Sequence, residues 1–379
     1  MKENRHNTVL ALLFIIFLGS IFVLNILSKD KYFSEMENRT LAQKPRFDLD
    51  NLIEGRYTKK YESYTNDQFI YRSKFINIKS AIENALGKTD NNGVYKGKEG
   101  YLFEEFNEPN LEYEKENIDA INKFADKYKD CNISFLLAPI STSVLKEKLP
   151  DNAPVNDERK YVEEFEKQLN KDINFVYPYD TLRDHKEEYI YYKTDHHWTT
   201  LGAYYSYKAL ADSLSIESKS IEDYNNTLVS NEFYGTLFSK GLFKVDKGDD
   251  ISLYLPKDEE DEVIVTYVEE QKKSPSFYSS EYLKKRDKYG LFLSGNHPIV
   301  EISTTSEEEK TLLLIKDSYA NSLVPFLTTH YSKIVLIDPR YYYDDIDELM
   351  EKEKFTDILF LYNTNTFFQD NSLSGVLNN

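Results

Sequence analysis

The sequence predicts an α/β fold built on a parallel sheet of about five strands that helices cover on both faces. Three observations support this prediction. Helical and extended patterns alternate along much of the chain. The extended segments are short, continuously apolar runs, as expected of strands that are buried on both faces. Polar side chains directly follow several of these runs, where ligands bind in open α/β sheets.

The N-terminal segment has the composition of a membrane anchor. Lys2 and Arg5 precede an apolar run that extends from Val9 to Leu27. As a helix, such a run approaches the roughly 30 Å thickness of a hydrocarbon core. No small-residue cleavage site follows, so we expect residues 1–28 to be an uncleaved signal anchor. A cleaved signal peptide and a buried helix are the alternatives. Positive charge before the run predicts a cytoplasmic N-terminus and an extracytoplasmic body.

A polar segment, residues 29–90, separates this anchor from the main domain. Tyr57 and Tyr61 belong to an aromatic series at helical spacing. We predict a helical arm that packs on the body or spaces it from the membrane. The glycine-punctuated segment 93–103 then predicts a hairpin that opens the main domain, residues 91–379.

Apolar runs within this domain predict the strands of the sheet. They lie at 133–139, 173–178, 311–316, 333–338 and 357–362. Helical patterns separate them, except at about 215–310, where an irregular region with short strands intervenes. We expect this region to be an insertion, and the strands on either side of it to form one parallel sheet.

Composition limits the possible partners and cross-links. The net charge is −18, and acidic and basic residues are interspersed rather than grouped in blocks. Nucleic acid is therefore not an expected partner. Cys131 is the only cysteine, so an exported form of this chain has no internal disulfide to stabilise its core.

Two predicted strands end in residues suited to acyl chemistry. Asp317 and Ser318 directly follow the strand at 311–316. A serine at a strand-to-helix turn has its backbone N–H at a helix N-terminus, where the partial positive charge favours an oxyanion. An ordinary helix cap is the alternative. Asn365 follows the strand at 357–362, where its amide could donate to an oxyanion or belong to a polar loop.

The segment YYKTDHHWTT, residues 191–200, concentrates further reactive groups. Asp195 and His197 are two positions apart, so on an extended backbone they share one face while His196 points to the other. The Asp195 carboxylate could then accept a hydrogen bond from Nδ1 of His197, which leaves Nε2 to deprotonate a hydroxyl. A satisfied polar turn is the alternative.

The same Asp-His-His run could also ligate a metal ion. The sequence offers no cysteine pair, no His-x-His motif and no second Asp/His cluster to complete a coordination shell. We therefore expect neither a metal ion nor another cofactor.

Taken together and in order, several blocks of the chain resemble the DHHW family, which is similar to the alginate O-acetylation proteins of the SGNH hydrolase-like superfamily. The blocks are ENRTLAQKP (37–45), GVYKGKEGYLF (93–103), LLAPISTSVLKEKLP (136–150), DHHW (195–198), FYGTLFSK (233–240), KDSYANSLVPFL (316–327) and LIDPRYY (336–342). The resemblance implies a three-layer SGNH hydrolase-like fold. Its motif order is permuted, because ordinary members place the serine before the Asp-His pair.

Through the resemblance, each candidate site residue acquires a role. Ser318 would be the nucleophile, His197 the general base and Asp195 the residue that orients the base. Asn365 would serve the oxyanion. Trp198 would pack its loop while lining a sugar-facing edge, and Arg340 would bind substrate or form a surface ion pair.

The implied activity is O-acetyl transfer to a cell-surface or secreted polysaccharide at the extracytoplasmic side of the cell membrane. Because acetyl-CoA is cytoplasmic, such an enzyme requires a membrane-bound O-acyltransferase as its acyl-donor partner. A carbohydrate O-acetylesterase with the same triad is one alternative. A noncatalytic glycan-binding or assembly protein is the other.

Overall fold

The predicted apolar runs form the centre of one large sheet in the computed structural model, which describes residues 2–34, 37, 39–151, 153–257 and 262–378. The strands are β1 Phe33–Ser34, β2 Arg39–Thr40, β3 Asp90–Asn91, β4 Val94–Lys96, β5 Leu102–Glu104, β6 Asn132–Ala138, β7 Asn174–Val176, β8 Tyr224–Phe233, β9 Asp249–Pro256, β10 Val263–Tyr267, β11 Lys272–Ser274, β12 Ile299–Thr304, β13 Thr311–Lys316, β14 Lys333–Ile337 and β15 Asp357–Asn363. The helices are α1 Lys2–Leu27, α2 Leu49–Ile53, α3 Arg56–Asp67, α4 Arg72–Ala85, α5 Leu111–Lys127, α6 Ser141–Val144, α7 Glu158–Glu166, α8 Tyr179–Asp184, α9 Thr200–Leu214, α10 Thr236–Gly241, α11 Ile346–Glu353, α12 Thr364–Gln369 and α13 Ser372–Leu377.

Among the described residues, the large sheet has eight strands in the order β11-β10-β12-β14-β13-β15-β6-β7. The strands from β14 to β7 pair in parallel and correspond to the five predicted runs. Strands β12, β10 and β11 extend one edge in antiparallel pairing. The sheet is therefore mixed, whereas the sequence predicted a parallel sheet.

The extra strands come from the region that we expected to be an irregular insertion. In β10 and β12, buried positions alternate with more exposed positions, so these strands lack the continuous apolar signal of the central strands. The same region also forms the antiparallel pair β8–β9. Residues 215–310 are thus partly integrated into the sheet.

Apolar side chains cover both faces of the sheet, and β13 shows how. Leu312 and Leu314 point into one buried cluster, which also contains side chains of α9. Leu313 and Ile315 point into the other, with side chains of α5, α7 and α11. The result is a helix–sheet–helix arrangement. Each fully buried leucine or isoleucine contributes about 1.5–3 kcal/mol through removal of its surface from water.

The chain divides into two compact units. One comprises Met1–Lys88 with Leu242–Lys244, and the other comprises Thr89–Gly241 with Val245–Asn379. The second unit contains the large sheet and the hairpin β4–β5, which the glycine-rich segment predicted. The first contains α1, of which His6–Leu27 is long and apolar enough to cross a membrane. It also contains α3 and α4.

A buried carboxyl group in the second unit gives a pH-dependent prediction. Glu158 is 1% exposed at the start of α7, and its oxygens accept hydrogen bonds from the Tyr177 hydroxyl at 2.9 Å and the Ile140 N–H at 3.4 Å. Burial raises the pKa of Glu158 to about 8. In the unfolded chain a glutamate titrates at about 4.3. Between these values the folded state binds one proton more, so stability falls as the pH rises through this window.

Replacing this acid with its neutral isostere should remove that loss. We expect Glu158→Gln to raise the free energy of unfolding by about 1–3 kcal/mol at pH 8, with little change at pH 5. Chemical denaturation of both proteins at the two pH values measures the difference. Equal responses of wild type and variant to pH would show that Glu158 does not carry the additional proton.

Candidate active site

The turn after β13 fixes the position of Ser318. Asp317, which is fully buried, caps the 3₁₀ helix Ser318–Ser322 by accepting the Tyr319 N–H at 2.8 Å. Its other carboxylate oxygen accepts the backbone N–H and the side-chain amide of Asn363, at 2.8 and 2.5 Å. One carboxylate therefore ties the Ser318 turn to the end of β15.

A second loop brings the Asp-His pair to the same edge of the sheet. An isolated antiparallel bridge joins Tyr191 to Trp198, and the Thr199 N–H donates to the Ile190 carbonyl at 2.9 Å. The Thr199 hydroxyl then accepts the Gly202 N–H at the start of α9. These contacts close residues 192–197 into a tight loop.

Trp198 locks this loop onto the serine turn. Its indole N–H donates to the Tyr319 carbonyl at 3.0 Å and to Ser322 Oγ at 3.1 Å. The side chain is 0% exposed, so it cannot line a surface that a sugar would contact. The expectation of a substrate-binding role for Trp198 was wrong. It packs the loop, as we also expected.

The three residues chosen from the sequence lie in one hydrogen-bonded row. His197 Nδ1 is 2.5 Å from Asp195 Oδ1, and His197 Nε2 is 2.8 Å from Ser318 Oγ. A carboxylate can only accept, so Nδ1 carries the proton and Nε2 is free to accept the Ser318 hydroxyl proton. Asp195 and His197 are 1% and 4% exposed, which excludes bulk water from their contact.

The electrostatic setting keeps Asp195 ionised. Burial acts to raise its pKa, but the neighbouring imidazoles of His197 and His196 and the hydrogen bonds to the carboxylate hold that pKa well below its ordinary value. Two of the bonds come from Thr236, whose N–H and hydroxyl donate to Asp195 Oδ2 at 2.8 and 3.1 Å. A stable carboxylate at this position favours a positive charge on His197 when it takes a proton.

Tyr289 contacts the imidazole ring from its face. The two ring centroids are 3.7 Å apart with an interplanar angle of 10°. The Tyr289 hydroxyl donates to the Ser318 carbonyl at 3.0 Å, so one side chain holds both the ring plane and the serine backbone. Sequence reasoning missed Tyr289, which lies in the irregular region without a local pattern.

The family model for DHHW proteins matches residues 116–337, which include the DHHW tetrapeptide and Ser318. The chain belongs to the DHHW family. A DHHW family protein from Eubacterium siraeum DSM 15702 is similar in structure, with a TM-score of 0.66, 24% identity, and coverage of 76% of this chain and 96% of that one. Bacillus cereus PatB1, solved with a sulfonyl adduct, gives a TM-score of 0.63 at 21% identity, covering 74% and 97% of the two chains.

A curated relative is also detectable from sequence. The "Probable alginate O-acetylase AlgJ" of Pseudomonas syringae pv. tomato (strain ATCC BAA-871 / DC3000) is 25% identical over 162 residues, which are 40% of this DHHW chain. The match spans about two fifths (41%) of that relative's length. The structural likenesses establish the α/β fold that this chain shares with the DHHW protein and PatB1.

The family block at 233–240, to which the sequence analysis gave no role, holds Asp195 in position. Gly235 lies so close to Asp195 that an added Cβ would be 2.2 Å from Asp195 Cβ and 2.3 Å from its Oδ2. The next residue, Thr236, supplies the two donors to that oxygen. Only glycine leaves space for the carboxylate at this point.

We expect Gly235→Ala to reduce reactivity of Ser318 by about 10²-fold, since a misplacement of about 1 Å in a catalytic array has that effect. The rate of covalent labelling of Ser318 measures it. Gly375→Ala is the matched control, because nothing lies within 4 Å of the corresponding Cβ. Labelling of Gly235→Ala at the wild-type rate would show that the close contact does not position Asp195.

The structure corrects the expectation for His196. Its ring centroid is 3.9 Å from that of His197, and its Nδ1 is 2.6 Å from Thr236 Oγ1 and 3.7 Å from Asp195 Oδ1. Side chains alternate between faces only on an extended backbone, and residues 193–197 form consecutive bends instead. His196 therefore contacts the Asp195–His197 pair rather than pointing away. Burial and the nearby His197 lower its pKa.

The close approach of Asp195, His196 and His197 also satisfies a loose geometric criterion for a metal site, with one ligand atom from each within 4.8 Å of the others. The 2.5 Å contact between Asp195 and His197 is nevertheless a hydrogen bond that requires a proton on Nδ1. Nε2 of the same ring faces Ser318. The donor atoms are thus arranged for proton transfer.

The side chains of Asn365 and Arg340 form hydrogen bonds with other parts of the protein. The Asn365 amide donates to the Glu105 carbonyl at 3.0 Å and accepts the Asn107 N–H at 3.1 Å, so it holds a neighbouring loop. Arg340 forms a bidentate ion pair with Asp338 at 2.8 and 2.6 Å. Asp338 is fully buried, so this is not the surface ion pair that the sequence left open as an alternative. Among the described residues, none accepts a hydrogen bond from the Ser318 backbone N–H, which makes this N–H the better candidate for an oxyanion donor.

Proposed function

We propose that this protein is a membrane-anchored O-acyltransferase that transfers acetyl groups to hydroxyls of an extracytoplasmic polysaccharide. The observation that carries the proposal is the position of His197, hydrogen-bonded to Asp195 on one side and to Ser318 on the other. DHHW membership and the similarity to a probable alginate O-acetylase support the choice of reaction. We infer a permuted SGNH hydrolase-like fold, since Asp195 and His197 precede Ser318.

The first half-reaction forms an acetyl-enzyme. Ser318 Oγ attacks the acyl carbonyl of the donor while its proton passes to His197 Nε2. The Ser318 N–H faces the oxyanion of the tetrahedral intermediate. The bond to the leaving group then breaks, the leaving group takes the proton from His197, and the acetyl group remains on Ser318.

The second half-reaction transfers the acetyl group to the glycan. A sugar hydroxyl gives its proton to His197 as its oxygen attacks the acetyl-serine carbonyl. The bond from the acyl carbon to Ser318 Oγ breaks, and Oγ regains the proton from His197. In both halves the ionised Asp195 stabilises the imidazolium and keeps its tautomer.

The acyl supply determines the partner. Acetyl-CoA is made in the cytoplasm, whereas a domain that follows a signal anchor with Lys2 and Arg5 on its cytoplasmic side lies outside. We infer that the apolar helix within His6–Leu27 is a single-pass anchor. A membrane-bound O-acyltransferase would then deliver the acyl group to the anchored enzyme.

The test is an acetyl-transfer assay on the purified full-length protein. With a small activated acetyl ester as donor and polysaccharide fragments as acceptor, mass spectrometry should detect acetylated glycan and an acetylated peptide containing Ser318. Release of free acetate with unmodified glycan would establish an esterase instead. Glycan binding without an acetylated peptide would establish a noncatalytic protein. A chelator should leave the rate unchanged, and a loss that added metal restores would revive the metal site.

A further inference from the structure

Helix α4 in the N-terminal unit exposes an apolar stripe. Phe75, Ile78 and Ile82 are 48%, 56% and 56% exposed, and Leu86, just past the helix, is 81% exposed. Their spacing of three and four residues puts them on one face of a helix. Tyr71, which precedes the helix, is 57% exposed. A contiguous apolar surface of this kind marks a contact with another phase or molecule.

The arc of the helix that runs from Arg72 to Ser80 is less exposed and carries polar groups. Arg72 pairs with Glu37, and Ser80 is buried at 6% exposure. Ile76, between them, is half-buried. A helix on the surface of a water-soluble protein turns its apolar side inward. Helix α4 instead turns its apolar side outward. This orientation is unfavourable in water and favourable against an apolar phase.

Contacts at the start of α4 place it beside the end of α1. The Asn25 side chain, in the last turns of α1, accepts the Ile70 N–H at 2.8 Å. Two residues earlier, the Gln68 side chain accepts the Lys31 N–H at 2.8 Å. The apolar part of α1 has 22 residues. At ~1.5 Å per residue, a helix of this length spans a hydrocarbon core of roughly 30 Å. The start of α4 is therefore level with the boundary where such a span ends.

Charged residues border the stripe on both sides. At about 100° per residue, Lys74 lies at one edge of the apolar arc and Lys79 at the other. Both side chains are exposed, and the Lys74 amine lies 5.0 Å from the centre of the Tyr71 ring. Lysines in these positions bury their stems along apolar surface and extend their ammonium groups to the phosphate level of a bilayer.

We propose that α4 is an interfacial helix that lies on the bilayer next to the α1 anchor, with Phe75, Ile78, Ile82 and Leu86 among the acyl chains and the flanking lysines at the phosphates. The continuity with the end of α1 and the two lysine borders favour a lipid surface over a second protein. The chain would then attach to the membrane at two points instead of one. This proposal rests on the membrane anchor of the proposed function and not on the chemistry at Ser318.

Depth-dependent fluorescence quenching tests the proposal on the full-length chain. The protein carries Cys131→Ser, which removes its only cysteine, and either Ile78→Cys or Ile82→Cys labelled with an environment-sensitive fluorophore. It is reconstituted in vesicles of zwitterionic and anionic phospholipid. Asn77→Cys is the matched control, an exposed position away from the stripe on the same helix.

We expect lipids with a shallow nitroxide to quench the Ile78→Cys and Ile82→Cys probes several-fold more than the Asn77→Cys probe. Aqueous iodide should show the reverse order. Equal iodide quenching at all positions would overturn the proposal, because the stripe would then be in water. Stripe probes protected from both quenchers would also overturn it, because protein would then cover the helix.

Discussion

Ser318→Ala should abolish covalent labelling by a serine-directed sulfonyl fluoride, because it removes the oxygen that lies 2.8 Å from His197 Nε2. His197→Gln should keep the hydroxyl but lose its base, and the rate of labelling should fall by about 10⁴–10⁶. Mass spectrometry of the intact protein and of its peptides gives both the rate and the position of the label. If His197 and Asp195 act as one unit, the His197→Gln/Asp195→Asn double variant should label little more slowly than His197→Gln alone.

The neighbouring Ser322 provides a matched control. It is fully buried in the same 3₁₀ helix, where its oxygen accepts from Trp198 at 3.1 Å and from Tyr289 at 3.3 Å. Ser322→Ala should label within about tenfold of wild type, because both donors keep a second acceptor, the Tyr319 carbonyl for Trp198 and the Ser318 carbonyl for Tyr289. An uncharged hydrogen bond contributes roughly 0.5–1.5 kcal/mol. Label on a residue other than Ser318, or wild-type labelling of His197→Gln, would contradict the assignment.

The central strands of the sheet were predictable because their environment leaves a local trace. A strand such as β13, buried on both faces, must be apolar at successive positions, and TLLLIK satisfies that requirement. Strands β10 and β12 alternate between buried and exposed positions, and their pairing depends on residues tens of positions away. Nothing local distinguishes them from the antiparallel pair β8–β9, which lies outside the large sheet, so their place in the large sheet was not predictable.

The candidate site divides in the same way. Asp195 and His197 are neighbours in sequence, and Ser318 ends a recognisable strand, so spacing and position bring them together. Thr236, at the start of α10, and Tyr289, in a 3₁₀ helix, reach the site from distant parts of the chain, and no periodicity marks them. Family resemblance included the block around Thr236 but gave it no physical role.

The errors at His196 and Trp198 have one cause. Both expectations treated the DHHW segment as extended and accessible. The backbone there instead bends at each position from 193 to 197 and is closed by the Tyr191–Trp198 bridge. The bends bring His196 beside His197, and the bridge directs the indole inward. Such a loop is defined by tertiary hydrogen bonds, which the local sequence does not encode as a pattern.

Asp195→Asn should reduce the rate of labelling by about 10⁴, the penalty seen when a triad histidine is held in the wrong tautomer. Each oxygen of Asp195 faces a backbone donor, the His197 N–H at 3.1 Å for Oδ1 and the Thr236 N–H at 2.8 Å for Oδ2. An asparagine can place its oxygen at only one of them. If the oxygen stays with Thr236, the amide NH₂ faces His197 Nδ1, the ring proton moves to Nε2, and Nε2 can no longer accept the Ser318 proton.

The opposite orientation of the asparagine is also unfavourable. Its oxygen would then accept the hydrogen bond from His197, but its NH₂ would face the Thr236 N–H. The hydrogen bond from Thr236 that fixes this side chain in the wild type would be lost. Thr236→Val separates the two effects, since it keeps the N–H and removes the hydroxyl, which donates to Asp195 at 3.1 Å and also lies 2.6 Å from His196 Nδ1. We expect it to lose roughly tenfold in rate, about the value of one hydrogen bond. Because the pKa of Asp195 lies well below its ordinary value, wild type keeps the carboxylate, and with it the proton on His197 Nδ1, at neutral and alkaline pH. The two labelling rates are therefore compared at pH 8. Labelling of Asp195→Asn within tenfold of wild type at this pH would show that Asp195 does not set the histidine tautomer.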